Sequence, residues 1–198
     1  MRHIQRIVLL ASIILMPSAL QTIAGRTQQI TGADDCKIVR GKDLIDPQAP
    51  ILSAYRVEQP ERVQNARVDL STSEAARRFR TVFRQQVSRG PNYAGHYRVV
   101  VWGCGSSCSS FAVVNIKTGR VLDIPDGHSM SGVDFEVSDF LLGTESDYTS
   151  FRYRKDSKLL IVIGAPDEDA ARGGVFYYLL SGEHLKLIHF MGVKKNCP

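Results

Sequence analysis

The chain has 198 residues, a formal charge of +5 and four cysteines. That length suits one domain with a substantial core. The charge is too mild to point to nucleic acid, and it falls further once the N-terminus is read closely.

The chain opens with Arg2, His3 and Arg6, followed by an apolar run from Ile7 to Met16. Spanning a bilayer takes roughly 20 apolar residues, and this run is shorter. Pro17 breaks it, and Thr22 and Ala24 fit the −3 and −1 positions of a signal-peptidase site. The expectation is a signal peptide over residues 1–24, cleaved after Ala24, and a single disulfide-stapled domain over 25–198. Losing Arg2 and Arg6 with an acid-free leader lowers the charge from +5 to +3. Nothing later in the sequence is apolar enough over enough residues to anchor the chain in a membrane. The expected location is periplasmic or secreted.

The segment from Gly25 to Leu70 is punctuated by Pro47, Pro50 and Pro60 and does not read as a separate domain. Tyr55–Val57 and Val63–Leu70 are expected as edge strands. The stretch STSEAARRFRTVFRQQVSR, Ser71 to Arg89, reads as an amphipathic helix. Ser71 and Glu74 fit a capping box. Ala75, Phe79, Val82, Phe83 and Val87 make one apolar face, and Gly90-Pro91 ends the helix. Arg77, Arg80 and Arg84 fall on one side, with Arg78 nearby. They read as a solvated face, with contact to an anionic partner as the functional alternative.

After the helix the chain is β-rich. Strands are expected at Tyr97–Trp102, Ser110–Ile116, Val121–Ile124, Val133–Val137, Phe151–Arg154, Leu159–Ile163, Val175–Leu180 and Leu185–Met191. Lys117–Arg120 and Ser181–His184 are hairpin turns, each with a glycine free to take positive φ. A weak repeat runs through this half. YRVVVWG, FAVVNI, KTGR and VLDI are followed later by KLLIVIG, VFYYLL, SGEH and LKLI. Each unit reads as a three-stranded meander. The fold class is α+β, mostly antiparallel, with the two meanders forming a sheet or sandwich and one amphipathic helix packed on it. The alignment puts CGSSCSS and APDEDAARGG at equivalent turns, so one end of the meanders is the candidate working surface.

In an oxidising compartment an even number of cysteines reads as disulfides. Of three possible connectivities, Cys104–Cys108 with Cys36–Cys197 is favoured: the first pair faces across a tight turn, and the second lies near the two mature ends. Chain entropy assigns about 2 kcal/mol to the small loop and about 5 to the terminal clasp. Haem attachment requires C-x-x-C-H, whereas here the spacing is C-x-x-x-C followed by Ser109. A thioredoxin-like centre requires C-x-x-C beside a βαβ unit. A zinc site recruiting His96 or His128, and a Cys104 nucleophile with His96 as base, would both need free thiols.

Asp126-Gly127-His128-Ser129 is adjacent in sequence rather than assembled in space, so it reads as a loop and not a triad. Asp167, Glu168 and Asp169 lack EF-hand spacing and read as a solvated acidic loop. Asp134 and Glu136 read as the wet side of a strand. No catalytic residue, cofactor or metal is assigned. His96, Trp102, Asp167, Glu168 and Asp169 are the candidate binding residues. His96 otherwise reads as a histidine bonded into its loop, and Trp102 as core.

The motif N-Y-A-G-H-Y, then W-G-C-G-S-S-C, an apolar strand and K-T-G-R-V, resembles a group of uncharacterised exported bacterial proteins with an A-G-H-Y…W-G-C-G-x-x-C core. The likeness covers about Gly90 to Ile124. It implies bacterial export and a structural role for the stapled turn, and no activity. Two functions are carried forward. The first is an exported binding module that holds a protein or cell-envelope ligand through the loops around Cys104–Cys108. The second is a small envelope hydrolase using His96 or His128 with a nearby carboxylate or thiol.

Overall fold

Side chains alternate between two buried faces along nearly every strand of this protein, and that alternation sets its layers. The computed structural model describes residues 47–58, 63–106, 108–122, 124, 130–131 and 150–192. All of them fall in one unit, residues 32–198. The leader, Cys36, Cys197, the strand expected at Val133–Val137 and the Asp126–Ser129 stretch lie outside the described residues.

Two short helices precede the strands: α1 (Glu74–Arg78) and α2 (Arg80–Ser88). The strands are β1 (Tyr97–Gly105), β2 (Cys108–Asn115), β3 (Val121–Leu122), β4 (Met130–Ser131), β5 (Phe151–Tyr153), β6 (Leu159–Pro166), β7 (Gly174–Ser181) and β8 (His184–Gly192). All pairings are antiparallel. The hydrogen-bonded path runs β1-β2-β4-β6-β7-β8, with β3 also on β2 and β5 also on β6. The architecture is the expected α+β, mostly antiparallel one, and the two meanders are β1-β2-β3 and β6-β7-β8.

The meanders face each other across a core built from Val99, Val101, Phe111 and Val113 on one side and Leu160, Val162, Phe176 and Tyr178 on the other. The intervening residues of β1 and β2, among them Val100, Trp102, Ala112 and Val114, point the opposite way and bury Ala76, Phe83 and Val87 of the helices. On the far side, Leu159, Ile161, Ile163, Val175 and Tyr177 are covered by Leu52 and Tyr55. Sheets covered on both faces carry near-continuous apolar runs, which explains VVVW and LLIVI. Each such side chain contributes about 1.5–3 kcal/mol on burial.

Three local expectations are corrected. The helix expected over Ser71–Arg89 is two helices, because Phe79 leaves helical geometry at φ −106° and ψ 32°. The cap is Ser73 rather than Ser71: the Ser73 hydroxyl accepts from Ala76 N–H, while Ser71 belongs to a 3₁₀ turn capped by Asp69. The two N-terminal edge strands reduce to isolated contacts. Arg56 bridges Ser157, and the 63–70 segment is tied by Ala66 N–H to Ile116 O and Asp69 N–H to Gly119 O.

Arg152, between Phe151 and Tyr153 on β5, is a buried charge. It is 2% exposed, its guanidinium donates to Phe151 O at 2.8 Å, and burial lowers its pKa to about 10. It therefore keeps its charge at neutral pH.

Candidate functional site

Cys104 and Cys108 close the β1–β2 hairpin as a disulfide, with Cα atoms 5.2 Å apart. Regular pairing ends at Gly103–Ser109 and resumes irregularly at Gly105–Cys108. The bridge pins the turn at that irregularity, leaving Cys104 and Ser106 exposed and Cys108 buried. A bridge over so short a loop contributes about 2 kcal/mol on the chain-entropy account, less than a long-range bridge would, and it fixes the path of the turn.

The second turn is brought to the first by β4. Cys108 pairs with Ser131, and Ser131 pairs with Ala165; Ser109 pairs with Met130, and Met130 with Pro166. A two-residue strand thus splices the start of β2 to the end of β6. The acidic loop leaves directly from Pro166. Asp167 and Glu168 both adopt left-handed backbone, at φ 51° and 64°. Asp169 accepts from Ala171 N–H and starts the short 3₁₀ turn Ala170–Arg172. Arg172 lies 4.0 Å from Asp167 at an exposed surface, a geometry that contributes little stability. The shared end expected for the two turns is therefore present, with Asp167, Glu168 and Asp169 exposed on it.

A groove of about 970 Å³ opens beside the stapled turn, between α1 and the first meander. It is lined by the buried Trp102, Ala112 and Leu122, the half-buried Ile124 and Phe79, and the exposed Glu74, Arg78, Gly103 and Cys104. The break in the helix helps to shape it. Phe79 sits at the break with its ring 5.3 Å from the indole of Trp102 and under the Arg78 guanidinium. Trp102 itself is 8% exposed and also packs on Phe83 at 5.3 Å. It is a core side chain that also lines the groove.

His96 belongs to the opposite end. It precedes β1, and eight residues of strand at about 3.3 Å each separate it from Cys104 by roughly 26 Å. Its backbone carbonyl accepts from Ile116 N–H, and its ring lies 4.5 Å from that of Tyr97. Burial, and then the charge of Lys117, hold its pKa below the ordinary 6.5. The nearby carboxylate of Glu183 receives Asn115 Nδ2 at 3.3 Å and faces Arg120 at 3.5 Å. The structure thus gathers Trp102 and the acidic loop around the disulfide and leaves His96 apart. His128 lies outside the described residues. Among the described residues no group of three or more His, Cys, Asp or Glu side chains is placed to hold a metal ion. The groove itself was missed in the sequence, because its lining comes from four separate segments. Comparisons with protein families, with curated proteins and with solved structures found no match.

Proposed function

We propose that the chain is an exported binding module, without catalysis of its own, that holds a protein or cell-envelope ligand where the Cys104–Cys108 turn meets the Asp167–Arg172 loop. The observation that carries the reading is the β4 splice, which aligns Cys108 with Ala165 through Ser131. Loops held in register by a shared ladder and a covalent staple lose little freedom on binding, and that reduces the entropic cost of capture. The groove combines apolar and charged lining residues, the usual composition of a recognition site. Export rests on the signal-like N-terminus, the paired cysteines and the resemblance of the Gly90–Ile124 stretch. Among the described residues no helix is long and apolar enough to cross a membrane.

The hydrolase alternative lacks a favouring contact among the described residues. Cys104 is in a disulfide, and His96 sits at the far end of β1. The test places a photo-crosslinking residue at Ser106, at Glu168 or at Thr118 in producing cells. Ser106 and Glu168 should yield the same adduct, and Thr118, at the opposite end, none. Adducts from Thr118 alone, or from no position, would overturn the assignment. Intact mass of the unreduced protein tests export separately: a chain starting at Gly25, with no alkylation before reduction, is the expected result.

A further inference from the structure

α1, α2 and the residue that caps α2 carry Arg77, Arg78, Arg80, Arg84 and Arg89, all exposed. From Ala75 to Leu122 the sequence contains no Asp or Glu and eight Lys or Arg. The ion pairs among the described residues lie elsewhere, at Arg120–Glu183, Arg154–Asp156 and Arg172–Asp167. Arg77 donates only to the neutral carbonyls of Leu70 and Ser71, and Arg78 lies over the Phe79 ring. Arg80 and Arg84 stand four residues apart on one helix, a like-charge spacing that disfavours the helix. A face serving solubility alone would be expected to mix signs; beyond Glu74 at the start of α1, this one carries only positive charge.

The rest of the face is equally selective. Thr81, Gln85 and Ser88 are exposed with the arginines, and no apolar side chain is exposed on either helix. Phe83 and Val87 are committed to the core. The helices therefore have no apolar face left to insert between acyl chains, and any surface they meet is met through charge. Guanidinium forks match phosphate oxygens in bidentate geometry. Several of them, on two short consecutive helices, suit a repeating array of phosphates better than the mixed-sign surface of a folded protein.

We propose that this arginine face docks the protein peripherally on a bilayer rich in anionic phospholipid headgroups. The biological setting rests on the exported reading above, but the surface can be tested without it. The disulfide-intact protein is co-sedimented with vesicles of phosphatidylcholine alone and with vesicles of equal parts phosphatidylglycerol and phosphatidylcholine. Binding should require phosphatidylglycerol and vanish in high salt. The triple variant R77Q/R80Q/R84Q should partition about a hundredfold more weakly, at roughly fivefold per arginine. Its circular dichroism should match that of the parent. The control K155Q/K158Q/K186Q removes the same charge from the β5–β6 connection and β8 and should stay within about threefold of the parent, because exposed charges beyond a Debye length of the bilayer are screened. Equal binding to both vesicles, no binding to either, or equal losses in the two triple variants would each overturn the proposal. A chain that sediments with anionic vesicles but retains its leader would keep the surface and lose the exported reading.

Discussion

Gln86 and Val101 exchange two hydrogen bonds: Gln86 Nε2 donates to Val101 O at 2.6 Å, and Val101 N–H donates to Gln86 Oε1 at 3.2 Å. Asn92 does the same for Val99, accepting its N–H at 2.9 Å and donating to its carbonyl at 3.3 Å. Among the described residues β1 ends the strand path, so its outer backbone groups have no neighbouring strand there. Two carboxamides take the place of that strand and block the edge against pairing with other chains.

The Gln86→Leu change keeps the volume and removes both bonds. It should lower stability by about 1–3 kcal/mol, the cost of leaving backbone polar groups unsatisfied. The double variant Q86L/N92L should lose more and also self-associate with increased β signal. Urea denaturation and light scattering check both effects. Unchanged stability in Q86L would mean that water satisfies Val101 equally well.

Gly119 and Gly182 occupy equivalent turns of the two meanders and share left-handed backbone, at φ 78° and 60°. Their surroundings differ. A Cβ at Gly119 would stand 1.9 Å from Arg67 O, whereas at Gly182 nothing lies within 4 Å. Gly182→Ala should therefore cost only the conformational strain, about 1 kcal/mol. Gly119→Ala must also displace the 63–70 segment and should cost about 3 kcal/mol or more. Thermal melts of the two variants give the comparison. Equal losses would mean that the segment yields freely.

Much of this architecture was legible in the sequence, for a physical reason. VVVW, FAVV, LLIVI and VFYYLL are buried on both faces, so composition alone marked them as strands, and the two hairpin glycines fixed their connections. The repeat then located the shared end of the meanders. What was hidden depended on contacts distant in sequence. Phe79 breaks a helix whose local pattern is unbroken. β4 is two residues long and carries no periodicity. Gln86 and Asn92 look like ordinary polar surface until the edge of β1 is placed beside them. Arg152 alternates with aromatic residues like a wet-face side chain, yet it is buried. Of the candidate binding residues, Trp102 and the acidic loop lie at the end of the meanders that holds the stapled turn, whereas His96 precedes β1 at the other end.

His96 gives a pH dependence whose sign follows from its surroundings. Burial and Lys117 depress its folded pKa below the ordinary 6.5. In the unfolded chain the imidazole regains that ordinary value and takes up its proton first as pH falls. The unfolded state then binds more protons, so stability declines from about pH 6.5 down to the folded pKa and levels off below it. His96→Gln should flatten the stability profile in that window. Lys117→Gln should raise the His96 pKa in an NMR titration, by a smaller amount than full exposure would. A profile unchanged in H96Q would assign the slope to other groups.

The disulfide separates stability from binding. Opening a loop this short should cost about 2 kcal/mol on the chain-entropy account. The paired double variant C104S/C108S should therefore fold, with β1 and β2 still held by the two cores that bury Val99, Val100 and Val101. Its turn, however, loses the constraint at the Gly103–Gly105 irregularity, beside Cys104 at the end of the groove. If that turn is part of the binding surface, crosslinking from Ser106 should fall severalfold at a temperature well below the melting point of the variant, because the loop must now be ordered on binding. Crosslinking from Glu168 should fall less, since its loop is held by the β4 ladder rather than by the staple. A variant with the 2 kcal/mol loss and undiminished crosslinking would confine the bridge to a stabilising role and move the site away from the turn.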